Sequence, residues 1–442
     1  MFIKLLLAKI LVKIDSLFFK EDTFGSKLVL GLDKDLISKL LARAQGEIVL
    51  VIGTNGKTTV KHLLKDILEK EDKNIIINEH SKKDCYGILS ALIKRLPLFT
   101  KKKFDYLIFE LKDPASLEYF KERGPEYLIV TNLFKEQISR KHEFIKYIGA
   151  WKNRMEQLEK TIFILNGDDP VVTHLSQGFK GQKLYYGLDN SYVEEEILPG
   201  SLNCPNCGGS LNYSHRFFGQ LGEYACGNCD FDKPAIDYLA TNTSLKNGIY
   251  FDLLVRGEEY PFDLPAQGFH NVYNILAAIS FIEETDIGLE SVELALEKIE
   301  IDDDSLDTFY IKKPVFLKEA WNISALEQAF EDLSEDDEII DLLLIYDEEK
   351  EYTNIIYDID IEDLKKDKIR KIYLTGDKAY NMALALKAMG LPLRKLIVDL
   401  ELNIVLKLAL SGKGKKLYII NMDDDTRSIE KQLKRLEKKW SI

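Results

Sequence analysis

The run Gly53-Thr54-Asn55-Gly56-Lys57-Thr58-Thr59 constrains this chain more than any other stretch in it. It follows the apolar stretch Ile48–Ile52 and opens the helical pattern Lys57–Glu71. An apolar run without alternation reads as a strand buried on both faces. A glycine-rich turn leading from such a strand into a helix is the context of a phosphate loop. Glycines let the backbone approach phosphates, and N–H groups of the first helical turn face the anion. Lys57 supplies a point charge, and the Thr58 hydroxyl is suited to magnesium. Thr54, Asn55, Gly56, Lys57, Thr58 and Thr59 are therefore the expected nucleotide-binding residues.

The surrounding pattern alternates between strand and helix. Strand-like runs occur at Ile48–Ile52, Asn74–Ile77, Tyr106–Glu110, Tyr127–Thr131 and Thr161–Leu165, with a further helical pattern at Phe144–Lys160. Strands alternating with helices indicate an α/β fold with a largely parallel sheet. Short β-like runs cover 236–263, and a helical segment starts at His270. A second α/β stretch begins near Asp307, with strands expected at Val315–Lys318, Ile339–Tyr346, Lys371–Thr375, Leu396–Asp399 and Lys416–Asn421. The helices expected there include Lys378–Met389 and Thr426–Lys439. The sequence thus predicts an N-terminal helical segment (1–45), a nucleotide-binding domain (46–300) and a C-terminal Rossmann-like domain (301–442). The acidic stretch Ile299–Asp307 is the expected linker.

A chain of 442 residues needs more than one core. Its net charge of −13 argues against a nucleic-acid binder held by a basic field. Met1–Lys20 is apolar but broken by Lys4, Lys9 and Lys13. It is too short to span a bilayer and lacks a small-residue cleavage site, so it is read neither as an anchor nor as a signal peptide. An amphipathic helix packed on the body, or touching the inner membrane face of a cytoplasmic protein, is expected instead.

Four of the five cysteines form two pairs, Cys204-Pro-Asn-Cys207 and Cys226-Gly-Asn-Cys229, separated by 18 residues. That spacing is a strong signal for one tetrahedral zinc in a ribbon inserted at 202–232. With four protein ligands the site would be structural. The fifth cysteine, Cys85, is expected to be a small core residue.

The phosphate loop is shorter than the general form, and GTNGKTT resembles the version found in Mur ligases and folylpolyglutamate synthetases. Other pieces follow in order. Glu110 ends a strand where a carboxylate reaches magnesium near the phosphates. Leu165-Asn166-Gly167-Asp168-Asp169-Pro170 is similar to the family's LNADDP loop. Gly268-Phe269-His270-Asn271-Val272-Tyr273-Asn274 resembles its GxHNxxN segment, which implies that Asn271 and Asn274 lie beside adenine. Asn271 also suits a helix cap.

The ribbon text CPNCGGSLNYSHRFFGQLGEYACGNCDFDKP resembles MurT, the synthetase subunit of lipid II isoglutaminyl synthase. So do Asn78–Ala91, Thr131–Glu143 and the two segments just quoted. The resemblance implies that ATP phosphorylates the α-carboxyl of D-glutamate in lipid II. Ammonia from a GatD-like glutaminase subunit then amidates the acyl phosphate. In that family a C-terminal aspartate completes the glutaminase site, and here Asp347 and Asp358 are the candidates. Lys318 matches a family lysine, and His142 falls in a segment tied to the substrate. The chain departs from the pattern in its C-terminal half. The arginine of the family's AFGR turn is missing from Ile301–Asp307, and Tyr346–Asp358 lacks the family's DG and DxSW elements. Two other readings therefore stand beside the first: a Mur-type ligase joining an amine or amino acid to another carboxylate without a glutaminase, and a divergent nucleotide-binding paralogue.

Overall fold

The computed structural model describes residues 24–33, 35–78, 84–98, 101–134, 141–189, 203–245, 248–265, 268–296, 306–320, 336–346, 361–422 and 426–440, with a few single positions elsewhere. The chain divides into two compact units, residues 1–134 with 145–300, and residues 135–144 with 301–442.

In the first unit the strands are β1 (Ala44–Ile52), β2 (Ile75–Ile77), β3 (Lys102–Leu111), β4 (Tyr127–Val130), β5 (Ile162–Asn166), β6 (Lys183–Leu188), β7 (Leu211–Phe218), β8 (Leu221–Cys226), β9 (Tyr238–Ser244), β10 (Ile249–Val255) and β11 (Glu258–Leu264). Nine of them form one sheet in the order β11-β10-β9-β6-β5-β4-β1-β3-β2. The pairs from β2 through to β9 are parallel, and β9, β10 and β11 pair antiparallel. The short runs expected at 236–263 are therefore not a separate element but the antiparallel edge of the main sheet. Ile48 to Ile52 are fully buried, as the unbroken apolar run requires of a central strand covered on both faces.

Topology fixes where a ligand can sit. From β1 the chain passes through the helix Lys57–Lys70 to the edge strand β2, then returns through β3 and crosses to β4 on the other side of β1. The carboxyl end of β1 is thus a switch point between β3 and β4, the place where open parallel sheets bind ligands. The helix Phe269–Ile282 is almost wholly buried, including Asn271 and Asn274.

The hairpin β7–β8 is a separate two-stranded sheet. At the end away from its turn, bridges Asn203–Ser210 and Ala225–Asp232 each close one cysteine pair. Its own apolar core is four residues, Cys204, Leu211, Tyr224 and Phe231. So small a core does not hold a fold unaided.

The second unit has a six-stranded sheet ordered β12-β13-β17-β14-β15-β16, made of β12 (Leu306–Ile311), β13 (Lys313–Glu319), β14 (Ile340–Ile345), β15 (Ile369–Thr375), β16 (Leu396–Val398) and β17 (Lys416–Asn421). All pairs are parallel except β12–β13. β12 corrects the sequence reading at two points. Leu306 and Asp307, placed at the end of the linker, begin a strand. Val315–Lys318 lies in the second strand of this unit rather than the first. The acidic composition of 299–307 hid the strand, whose alternation starts only at Leu306. Near the amino end of β14, Asp341 is fully buried. It pairs with Arg370 at 2.8 Å and Lys313 at 3.1 Å, and accepts the Gly414 N–H at 2.9 Å. This carboxylate ties four segments together from the side opposite the strand carboxyl ends.

Candidate functional site

The phosphate loop is built by its neighbours as much as by its glycines. The Thr54 N–H donates to the Asn132 carbonyl at 2.8 Å, and the Asn55 N–H to Asn132 Oδ1 at 2.9 Å. Thr131 Oγ1 donates to the Asn55 carbonyl at 2.6 Å, and Thr54 Oγ1 to the Phe134 carbonyl at 3.2 Å. The strap 131–134 beyond β4 therefore holds the loop along its length. Gly56 adopts φ +80° and caps the helix without a side chain, the geometry in which first-turn N–H groups are presented to an anion. Lys57 folds back over its loop and donates to the Gly53 and Thr54 carbonyls at 2.6 and 2.7 Å.

On the β3 side Glu110 is 2% exposed, so it is not a surface carboxylate. Its Oε2 accepts from Thr58 Oγ1 at 2.7 Å and lies 3.4 Å from Lys61 Nζ. Burial pulls the Glu110 carboxyl upward, but Lys61, the Thr58 hydroxyl, Lys112 and Lys57 outweigh it and hold the group below its ordinary range. Asn78 clamps this strand end through both its amide groups, each 3.0 Å from the Glu110 backbone. Two oxygens on adjacent corners of a magnesium octahedron stand about 2.9 Å apart, so the spacing of Thr58 and Glu110 suits that ion.

Asn274 completes the site. Its Nδ2 donates to Asn271 Oδ1 at 3.0 Å, and its own Oδ1 lies against Gly56. The fold thus brings the expected pair of asparagines to the phosphate loop from more than 200 residues away in sequence. Lys61, Asn78, Thr131 and Asn132 were not singled out as site residues by sequence reasoning. Asn78, Thr131 and Asn132 fall in segments that resemble the family, whereas Lys61 stood out only as a lysine one turn beyond Lys57.

The loop 166–170 is also buried. Asp168 pairs with Lys233 at 2.8 Å and accepts from Tyr273 Oη and the Leu188 N–H, both at 2.8 Å. Asp169 caps the helix Pro170–Ser176 through the Val171 N–H at 2.8 Å. It also accepts from the Leu133 N–H at 2.7 Å and Gln220 Nε2 at 2.6 Å. Burial nonetheless pushes its carboxyl up to about 6.

The four cysteine sulfurs all lie within 4.8 Å of one another. Cys204 and Cys229 are 3.8 Å apart, Cys207 and Cys226 3.6 Å. Tetrahedral thiolates at the usual zinc–sulfur length stand about 3.8 Å apart, so the donor set fits such an ion. The N–H groups of Gly209 and Asn228 donate to Cys207 and Cys226 at 3.4 and 3.3 Å, which favours thiolates. Cys85 is half-buried beside Tyr119 rather than part of a core. Lys318 is buried on β13. Asp347 and Asp358 lie outside the described residues, as do the side chain of His142, the segment 1–20 apart from Lys9, and most of the linker. Among the described residues no helix is long and apolar enough to cross a membrane.

Comparison with known proteins places these features. Residues 51–203 match the Mur ligase middle domain and residues 320–422 the MurT ligase C-terminal domain. The first match stops one residue before the first ribbon cysteine. The chain is 28% identical over 367 residues to the Staphylococcus aureus (strain COL) lipid II isoglutaminyl synthase (glutamine-hydrolyzing) subunit MurT, covering 80% of each. It is 26% identical over 420 residues to the corresponding subunit of Streptococcus pneumoniae (strain ATCC BAA-255 / R6), covering 91% of this chain and 90% of that one. Among solved structures it superposes on a pseudomurein peptide ligase type C from Methanothermus fervidus with a TM-score of 0.67 and 22% identity, over 90% of this chain and 80% of that one. That likeness is one of fold.

Proposed function

We propose a substrate and a nitrogen donor for this chain, which by its Mur ligase middle domain, its MurT-type C-terminal domain and its similarity to MurT over most of its length is an ATP-dependent ligase of the Mur type. The acceptor is the α-carboxyl of D-glutamate in lipid II, activated as an acyl phosphate and amidated by ammonia to D-isoglutamine. The observation that carries this reading is the Thr58–Glu110 pair at 2.7 Å, set beside Lys57 on a loop whose Gly56 lies against Asn274.

Each residue has a task in that reaction. Lys57 balances charge on the phosphoryl group as it moves to the carboxylate oxygen. Thr58 and Glu110 hold magnesium, which neutralises phosphate charge when bound. Lys61 keeps Glu110 ionised and ready to ligate. Asn271 and Asn274 offer paired amide donors and acceptors to adenine. Cys204, Cys207, Cys226 and Cys229 hold zinc as a structural ion.

The ammonia comes from a GatD-like glutaminase bound as a second subunit, since the chain's cysteines are the four ribbon thiols and Cys85. Asp347 orients the histidine of that partner, with Asp358 as the second candidate. A lipid-linked substrate and ATP together put the work at the cytoplasmic face of the membrane.

The test is ATP turnover with lipid II as acceptor. Phosphate release and isoglutamine formation should follow with ammonium alone, and with glutamine once the co-expressed glutaminase is present. Asp347→Asn should lower the glutamine-dependent rate far more than the ammonium-dependent rate. Turnover with an amino acid but not with ammonia would move the chain to the amino-acid ligases.

A further inference from the structure

The ribbon hairpin reaches the nucleotide site by two separate routes. The first is polar. At the β7–β8 turn, Gln220 Nε2 donates to the Leu133 carbonyl at 3.1 Å and to Asp169 Oδ1 at 2.6 Å. Asp169 in turn receives the Leu133 N–H. The next residue back, Asn132, carries the Thr54 and Asn55 N–H groups of the phosphate loop. Unbroken hydrogen bonds and one peptide link therefore run from the hairpin tip to the loop.

The second route is aromatic. Phe218 packs edge-on to Phe134 at 6.3 Å and tilted against Phe269 at 6.2 Å. Phe269 opens the helix that carries Asn271 and Asn274, and Phe134 accepts the Thr54 hydroxyl at its carbonyl. The tip thus bridges the two segments that flank the nucleotide. Behind the tip, Tyr224 donates to the Gly167 carbonyl at 3.0 Å, and the Gly222 N–H to the Asp168 carbonyl at 3.0 Å. These anchor the hairpin on the 166–170 loop.

We propose that the hairpin tip Phe218–Gln220 is a positioning element of the nucleotide site, so that metal in the four-cysteine cluster and nucleotide at the phosphate loop favour each other's binding. The physical reason is the size of the ribbon core. A cluster of only four buried residues packs the cysteine end of the hairpin, so that end depends on its metal, and a frayed hairpin no longer fixes the 131–134 strap. Coupling between two sites is reciprocal, so nucleotide must also retain the metal. The proposal rests on the nucleotide reading of the phosphate loop.

The experiment uses the full zinc-loaded chain, with Mg-ADP as the probe. Calorimetry should show Gln220→Ala binding Mg-ADP about tenfold more weakly than wild type, with zinc content unchanged. Ser214→Ala, whose hydroxyl donates to the Glu223 carbonyl within the hairpin, should bind as wild type. Saturating Mg-ADP should slow chelator-driven zinc release in wild type, and Gln220→Ala should remove that protection. Gln220→Ala binding within twofold of wild type, or losing its zinc outright, would overturn the proposal. So would zinc release in wild type that ignores nucleotide. Lys57→Ala that binds Mg-ADP normally would instead overturn the nucleotide reading itself.

Discussion

Asn274 leaves no room for a side chain at Gly56: a Cβ there would stand 2.1 Å from Asn274 Oδ1. Gly56 is also in the left-handed region, at φ +80°. Gly56→Ala therefore costs about 1 kcal/mol in backbone strain and displaces the asparagine. Its expected signature is a modest fall in thermal midpoint with a loss of nucleotide affinity of about tenfold or more. Titration calorimetry of the variant against wild type measures both consequences at once if paired with a melt. Wild-type affinity would mean that Asn274 does not face the nucleotide.

Lys57→Ala removes the cation that folds over the phosphate loop. ATP turnover with substrate should fall at least about 100-fold, while circular dichroism stays that of the folded chain. Turnover at the wild-type rate would show that the loop does not hold the phosphates.

Glu110 gives a pH dependence with a definite sign. Its folded-state value lies below that of an ordinary glutamate, so the stability it contributes is present above the ordinary glutamate range. That stability is lost as pH falls through the lowered value. Glu110→Gln also leaves Lys61 buried without its counter-ion and should cost about 3 kcal/mol at neutral pH. The gap between variant and wild type in urea midpoint should narrow as pH drops below about 4.5. A gap that stays constant with pH would mean that Glu110 is not held ionised by its neighbours.

Cys204→Ser tests the metal. One zinc per chain is expected in the wild type by elemental analysis, and none tightly held in the variant. Hydrogen exchange should show faster opening of β7 and β8 with protection of β1 retained. Metal held after two of the four thiols are lost would count against the cluster as the site.

Much of the candidate nucleotide site was legible in order along the chain, because its chemistry is local. Gly53 to Thr59 form one turn from strand to helix, and a turn needs its glycines and its lysine at fixed spacing whatever surrounds it. The cysteine pairs are legible for the same reason: each pair is one short loop. Tertiary structure alone decided which distant groups complete these local pieces. Lys61 reads as one more lysine on a helix until β3 brings Glu110 to it. Asn132 and Gln220 lie in segments that resemble the family, but nothing in that text says what either side chain meets, and only the parallel order of β4, β1 and β3 places the 131–134 strap under the phosphate loop. The strand β12 is similar, since its antiparallel pairing with β13 is visible only once the chain has turned at Lys312. Backbone geometry and side-chain chemistry within a few residues are written in the sequence. Which carbonyl meets which N–H across the sheet depends on strand order, and no spacing along the chain encodes that.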